Sequence, residues 1–129
     1  MLPKTSISAS ADAKEKREHP RVSIHVQVSC VSIKDNFPLD QNKGYIIDVS
    51  QGGAAIEADS NVLSDRVAIV FNDNDHQAVG ILGKVAYAKK TSNKTYLIGV
   101  SFQAGGKEKL EFVTKIVKFF HYYKRTIIA

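Results

Sequence analysis

The residues with the clearest chemical potential form one short polar segment, Asp48–Gly53. It follows the apolar run Tyr45–Ile47 and precedes the run Ala54–Ile56, so the pattern predicts a junction between two strands. Alternation along a strand turns Asp48 and Ser50 to the same face. The two glycines that end the segment can adopt positive φ angles and let a ligand approach without meeting a Cβ atom. The segment therefore predicts a polar ledge that recognises a ligand.

A second polar segment, Lys14–Arg21, lies before the first apolar run. Arg17 and Arg21 are four positions apart and would share one face of a helix. Pro20, however, disfavours the helical conformation for His19. We therefore predict an extended or turned segment that brings two guanidinium groups to the start of the first strand. A solvated run of charges is the alternative for this segment taken alone.

Length and composition indicate one domain with an ordinary globular core. The chain has 129 residues, of which 43% are hydrophobic and 24% are charged. The single cysteine, Cys30, excludes an internal disulfide and is predicted to be a small core residue. Apolar runs such as Val67–Phe71 are far shorter than the roughly 20 residues of a membrane span. The first residues contain no apolar signal-peptide core, so we expect a cytoplasmic protein.

The net charge of +5 is concentrated at the two ends of the sequence. Residues 1–21 carry a surplus of two positive charges, residues 105–129 a surplus of four, and the middle an excess of one negative charge. We therefore expect an anionic partner to be met by the terminal segments.

The middle of the chain carries six strand signals and no helix signal. Alternation from Val22 to Cys30 predicts a long first strand, with a bulge near Cys30 because Val31 and Ile33 continue on the other parity. A loop is predicted over residues 34–43. Further strands are predicted over residues 44–50, 53–58, 66–71, 77–88 and 95–102. Six closely spaced strands favour an antiparallel barrel or a sandwich.

The C-terminal residues predict one amphipathic helix. Its apolar stripe is predicted to cover an open end or side of the barrel, with a docking helix for a protein or an acidic membrane surface as the alternative. Three aromatic residues, Phe112, Phe119 and Tyr122, are predicted to lie off this stripe and to mark a self-association face. The predicted stripe comprises Leu110, Val113, Ile116, Val117, Phe120 and Tyr123.

Local sequence motifs of enzymes are absent. The chain has no phosphate-binding glycine loop of the P-loop or Rossmann type, no His-Glu-x-x-His motif and no paired cysteines. Its four histidines share no metal-ligand spacing. We therefore predict a binding protein without enzymatic activity, metal or resident cofactor.

Taken together, the two polar segments resemble the motifs of the PilZ domain family. Arg17-x-x-x-Arg21 precedes the first strand, and Asp48-x-Ser50-x-x-Gly53 falls between the next two. The resemblance covers roughly residues 14–124. It implies a six-stranded antiparallel β-barrel over about residues 20–103 and a C-terminal helix over about residues 106–124. The domain would occupy residues 14–125, between a flexible arm (1–13) and a short tail (126–129).

Family membership implies a receptor for the bacterial second messenger cyclic di-GMP, which acts in motility and biofilm control. Arg17 and Arg21 would grip phosphate oxygens or the guanine O6/N7 edge with guanidinium forks. Asp48 would accept from the guanine N1–H and 2-amino groups, and Ser50 would bond the ligand beside it. Gly53 would permit the close approach.

Three further residues belong to the expected site or its edge. Gly52 adds a second glycine and leaves the motif intact. A basic residue at the position of Lys16 is associated in the family with an intercalated ligand dimer, so the resemblance implies two ligands per site; a solvated Lys16 is the alternative. Tyr87 lies near the position of an aromatic residue in the family, which suggests guanine stacking, although an ordinary strand position is the favoured interpretation.

No output domain accompanies the expected receptor, so the signal would pass to an effector protein. Arg17 and Arg21 would order the preceding arm over the ligand, and the basic helix would be a candidate contact for the effector. Two alternatives remain. One is a PilZ-fold interaction module of pilus or motility machinery that binds no nucleotide. The other is a small barrel that binds single-stranded nucleic acid, which is disfavoured because most aromatic residues fall on predicted core faces or in the helix.

Overall fold

A computed structural model of the chain describes residues 20–128, with side chains through residue 123. It contains six strands followed by one helix, as the sequence predicts. The strands are β1 (Val22–Lys34), β2 (Phe37–Val49), β3 (Gly53–Ala58), β4 (Arg66–Asn72), β5 (Ala78–Lys90) and β6 (Tyr96–Phe102), and the helix is α1 (Gly106–Ile128). The helix is not long and apolar enough to cross a membrane.

The six strands form a closed antiparallel barrel in the order β1-β2-β3-β6-β5-β4. Pairing of β1 with β4, from Ser29 opposite Val70 to Ile33 opposite Arg66, closes the sheet. The choice between barrel and sandwich is thus settled in favour of the barrel.

Inward-facing residues of β1 show that the predicted change of parity near Cys30 is wrong. Alternate residues stay buried through Cys30 and on to Ser32, whereas Val31 and Ile33 are only partly buried. Ser32 can lie inside because its Oγ accepts a hydrogen bond from the backbone N–H of Leu63 at 2.9 Å. The register shifts lie elsewhere, between Ser23 and Val26 and between Ser32 and Ile33. Burial raises the pKa of the Cys30 thiol to about 11, which fits the predicted core role.

The predicted loop over residues 34–43 is also wrong, because the segment is mostly strand. Asp35 and Asn36 have positive φ angles of 53° and 66° and form the two-residue hairpin turn. β2 then begins at Phe37 and crosses Pro38 at a register shift, where an unpaired proline nitrogen is tolerated. The sequence signal failed because both faces of this part of β2 are exposed and carry no apolar alternation.

Helix α1 covers the end of the barrel at which β4 and β6 finish. Phe112 contacts Phe71 and Phe102, with ring centroids 5.8 and 5.5 Å apart, and Ile116 is fully buried. Phe119 also contacts Phe71, at 5.5 Å.

The buried face of α1 is rotated from the predicted stripe. Phe112 and Phe119 pack on the barrel, so the proposed self-association face that included them is wrong. Leu110 and Tyr123, which were predicted to be buried, are each 55% exposed. Both stripes have helical spacing, and the periodicity alone could not choose between them.

Truncation of Ile116 should destabilise the fold strongly, whereas truncation of Leu110 should not. We expect Ile116→Ala to lower the free energy of unfolding by about 2–5 kcal/mol because it leaves a cavity under the helix. Leu110→Ala should cost less than about 1 kcal/mol, since its side chain is largely solvated. Urea unfolding measures both, and equal losses would contradict the observed helix face.

Candidate functional site

Two of the predicted site residues meet at the end of the barrel where β1 begins and β2 ends. Arg21 directly precedes β1, and Ser23 pairs with Asp48 in the β1–β2 ladder. This register lets the Nη1 group of Arg21 donate to Oδ1 of Asp48 at 3.1 Å. The two side chains are 43% and 28% exposed, so both remain accessible to a ligand.

The segment after Asp48 forms a tight hairpin turn between β2 and β3. The N–H of Ser50 donates to the carbonyl of Gly53 at 2.8 Å, and the N–H of Gly53 donates back at 3.3 Å. Oγ of Ser50 accepts the N–H of Gly52 at 3.2 Å, and the Gly52 carbonyl accepts the N–H of Phe102 at 2.9 Å. The turn is therefore fixed both internally and to β6.

Gly53 is required for space and not for an unusual backbone angle. It pairs with Ser101 of β6, and a Cβ atom there would lie 2.1 Å from the carbonyl oxygen of Val100. Its φ angle is not positive, so the turn does not use the backbone freedom that the sequence suggests for the two glycines. A side chain at Gly53 would push β3 and β6 apart.

A cleft of about 340 Å³ opens beside this turn. Arg21, Ser50, Gly52 and Gly53 line it, and Asp48 stands at its edge through the ion pair. Arg17 and Lys16, the other predicted site residues, lie outside the described residues. The remaining lining residues come from β3, β5 and β6, namely Ala54, Ala86, Tyr87, Gly99, Val100 and Ser101.

Tyr87 forms one wall of the cleft. It pairs with Gly99, and its ring covers that glycine so closely that a Cβ atom there would lie 2.1 Å from Tyr87 Cε2. Tyr87 is 46% exposed and so presents ring surface to solvent. The favoured interpretation, an ordinary strand position, agrees with its place on β5, and the structure adds that the ring borders the cleft. Ser101 was missed entirely, because only its pairing with Gly53 in the β3–β6 ladder brings it to the cleft.

The site contains groups for anion and base recognition but no assembled metal centre. Within residues 20–128, no three His, Cys, Asp or Glu side chains are placed to hold a metal ion together. The cleft combines one guanidinium, hydroxyl groups and a tyrosine ring, and the carboxylate of Asp48 is ion-paired to the guanidinium. This set suits a ligand that carries negative charge, hydrogen-bond donors and a flat aromatic group.

Comparisons with known proteins agree with this architecture. The family model described as PilZ domain matches residues 15–118. No curated protein sequence matches the chain. A solved PilZ domain with c-di-GMP, from YcgR of Escherichia coli, is 14% identical with a TM-score of 0.62, and the match covers 88% of this chain and 97% of that one.

Two longer structures share the same fold. MrkH of K. pneumonia in complex with c-di-GMP is 16% identical with a TM-score of 0.58, over 86% of this chain and 55% of that one. The inhibitor of motility MotI/DgrA of Bacillus subtilis is 12% identical with a TM-score of 0.56, over 80% and 51%. The match thus spans about half of each of these two chains.

Addition of one methyl group at Gly53 should disturb the cleft-forming turn. We expect Gly53→Ala to lower the free energy of unfolding by about 1–3 kcal/mol, because its Cβ collides with backbone that cannot move freely. Gly106→Ala is the matched control, since a Cβ atom there meets nothing within 4 Å. Urea unfolding of both variants is the measurement, and a Gly53→Ala protein as stable as the control would contradict the packing described.

Proposed function

Because the chain belongs to the PilZ domain family, we propose that it is a receptor for cyclic di-GMP that signals to a partner protein. The observation that carries the proposal is one cleft lined by Arg21, Ser50 and Gly53, with Asp48 ion-paired to Arg21. The c-di-GMP complexes of YcgR and MrkH, which share the fold, support the same ligand class.

Arg21 supplies the grip on negative charge in this proposal. Cyclic di-GMP has two phosphodiesters, and a guanidinium fork bonds two phosphate oxygens, or guanine O6 and N7, in parallel. The ion pair with Asp48 involves Nη1 only, whereas the guanidinium group has five N–H donors. Arg21 can therefore bond the ligand while Asp48 still orients it.

Asp48 reads the base. A carboxylate accepts hydrogen bonds only, and guanine offers it the N1–H and 2-amino groups side by side. Adenine has no such donor pair at these positions. Ser50, whose Oγ accepts from the N–H of Gly52, keeps its own O–H to donate to a ligand oxygen.

Tyr87 and the glycines shape the space for the base. The exposed tyrosine ring offers a surface on which a guanine can stack. Gly99 leaves room for the Tyr87 ring against β6, and Gly53 leaves room for the Val100 carbonyl, so the two glycines fix the walls of the cleft. We therefore assign Tyr87 a stacking role in the proposed complex.

The segment before the barrel completes the proposed site. Arg17 would add the second fork and Lys16 would contact a second, intercalated ligand, so that residues 14–125 form the receptor domain. Binding would order the arm up to His19, which includes residues 1–13, over the ligand, and residues 126–129 would form a short tail. The protein would act in the cytoplasm by binding alone, without catalysis, and would pass its signal to an effector.

Removal of either arginine should weaken cyclic di-GMP binding measurably. Each of Arg17→Ala and Arg21→Ala removes a fork worth about 1–3 kcal/mol, so calorimetry should show affinity falling about 5- to 150-fold. Arg66→Ala is the matched control, because Arg66 lies on β4 and does not line the cleft. Unchanged affinity in both arginine variants would contradict the assignment.

Asp48 should determine which base is accepted. We expect Asp48→Ala to weaken the binding of cyclic di-GMP more than that of cyclic di-AMP. Only guanine has the N1–H and 2-amino donors from which the Asp48 carboxylate would accept hydrogen bonds. Asp40→Ala, an exposed carboxylate elsewhere on β2, is the control. Competition binding with the two dinucleotides measures the ratio, and an equal loss for both would remove Asp48 from the base-reading role.

A further inference from the structure

A second and larger depression lies between the barrel wall and the helix, outside the proposed ligand cleft. It has a volume of about 560 Å³. We call it the aromatic groove. The residues used below to define it are His25, Gln27, Lys43, Tyr45, Phe119 and Tyr123.

Stacked rings form both walls of the aromatic groove. On the barrel side, the rings of His25 and Tyr45 stack with centroids 4.3 Å apart and planes inclined by 9°. On the helix side, Phe119 and Tyr123 stack at 6.2 Å and 10°. Tyr45 and Tyr123 are 39% and 55% exposed, so ring surface faces solvent on each wall. Such walls favour insertion of an aromatic side chain.

The charge of the groove is one-sided. Among the described residues that line it, Lys43 supplies a positive charge, Gln27 and Asn72 supply amide groups, and none is a carboxylate. Two carboxylates next to the lining keep their charge but are held by other hydrogen bonds: Glu57, opposite Tyr45, accepts from the hydroxyl of Thr95 at 2.8 Å. Asp73, after Asn72, accepts from backbone N–H groups of its own turn. The lining itself therefore offers an acidic group one cation and neutral donors.

We propose that the aromatic groove docks an acidic segment of a partner protein that inserts an aromatic side chain between the two ring walls. Carboxylates of that segment bond Lys43 and the neutral donors beside it. The surplus of four positive charges over residues 105–129, which include the helix, adds a long-range attraction toward acidic partners. The groove thus gives the effector a specific place on the molecule.

The β1–β2 ladder links the aromatic groove to the cleft. Ser23 pairs with Asp48 and Val26 with Ile46, so Ile24 and His25 together lie opposite Ile47 in a β-bulge. The Arg21–Asp48 ion pair and the His25–Tyr45 stack therefore lie only a few residues apart along β1 and β2, with the bulge between them. We infer that a ligand that engages Arg21 and Asp48 re-aims His25 through this irregular point of the ladder. This coupling rests on the proposed cyclic di-GMP site.

Single-stranded nucleic acid fits the groove less well. Such ligands need a row of cations along the phosphate backbone in addition to stacking rings. Lys43 is the only lysine or arginine among the described lining residues. A peptide carries its acidic groups at chosen positions and requires no such row.

Fluorescence anisotropy with the full chain tests the proposal. The probe is a fluorescein-labelled peptide of Glu-Glu-Phe repeats, compared with a Lys-Lys-Phe peptide and with labelled oligodeoxythymidine. We expect the acidic peptide alone to bind. Lys43→Glu should lower the affinity for the acidic peptide about tenfold or more. Lys90→Glu makes the same charge change at the end of β5 and should alter this affinity less than about twofold. Saturating cyclic di-GMP should change the peptide affinity about fivefold or more.

Several results would overturn the proposal. The docking role would be excluded if the acidic peptide does not bind, or if both peptides bind equally. It would also be excluded if oligodeoxythymidine binds more tightly than the acidic peptide, or if the two lysine changes have equal effects. An unaltered peptide affinity in a protein that binds cyclic di-GMP would exclude the coupling. Calorimetry with cyclic di-GMP separates the two proposals. The Lys43→Glu variant should bind cyclic di-GMP with unchanged affinity. If the wild-type chain does not bind cyclic di-GMP, the receptor function is refuted, and the peptide measurements still test the groove.

Discussion

Closure of the sheet is the constraint on which the rest of the structure depends. Because β1 bonds to both β2 and β4, the barrel has no free edge, and alternate side chains of every strand must fill one interior. The helix can then only cover an end, where Phe112 and Ile116 meet the last inward residues of β4 and β6. Ligand recognition is left to the outer surface and to the turns at the strand ends.

Much of this fold was predictable from the sequence, and the failures have common causes. Alternation and turn residues identified six strands and a helix because apolar periodicity reflects burial directly. Apolar periodicity failed where a polar residue is buried or where a strand is exposed on both faces. Ser32 is inside because a backbone N–H satisfies its hydroxyl, and the first half of β2 is a strand with both faces exposed. In the helix, two apolar stripes of equal spacing compete, and only barrel contacts select Phe112 and Phe119.

The sequence predicted only those residues of the candidate site that belong to a recognisable motif. Arg21, Asp48, Ser50 and Gly53 were found, and the structure brings them together. Ser101 was not found, since the register of β6 alone carries it to the cleft. The sequence suggested Gly53 for its backbone freedom, whereas the structure requires a glycine there because a side chain would collide with the Val100 carbonyl. Sequence identifies the groups, whereas strand register determines what surrounds them.

The receptor function is tested most directly by calorimetric titration of the full chain with cyclic di-GMP and, in the same buffer, with oligodeoxythymidine. A receptor built around Arg21 and Asp48 should bind cyclic di-GMP saturably and leave the oligonucleotide unbound. No saturable binding of cyclic di-GMP, or saturable binding of the oligonucleotide instead, would contradict it.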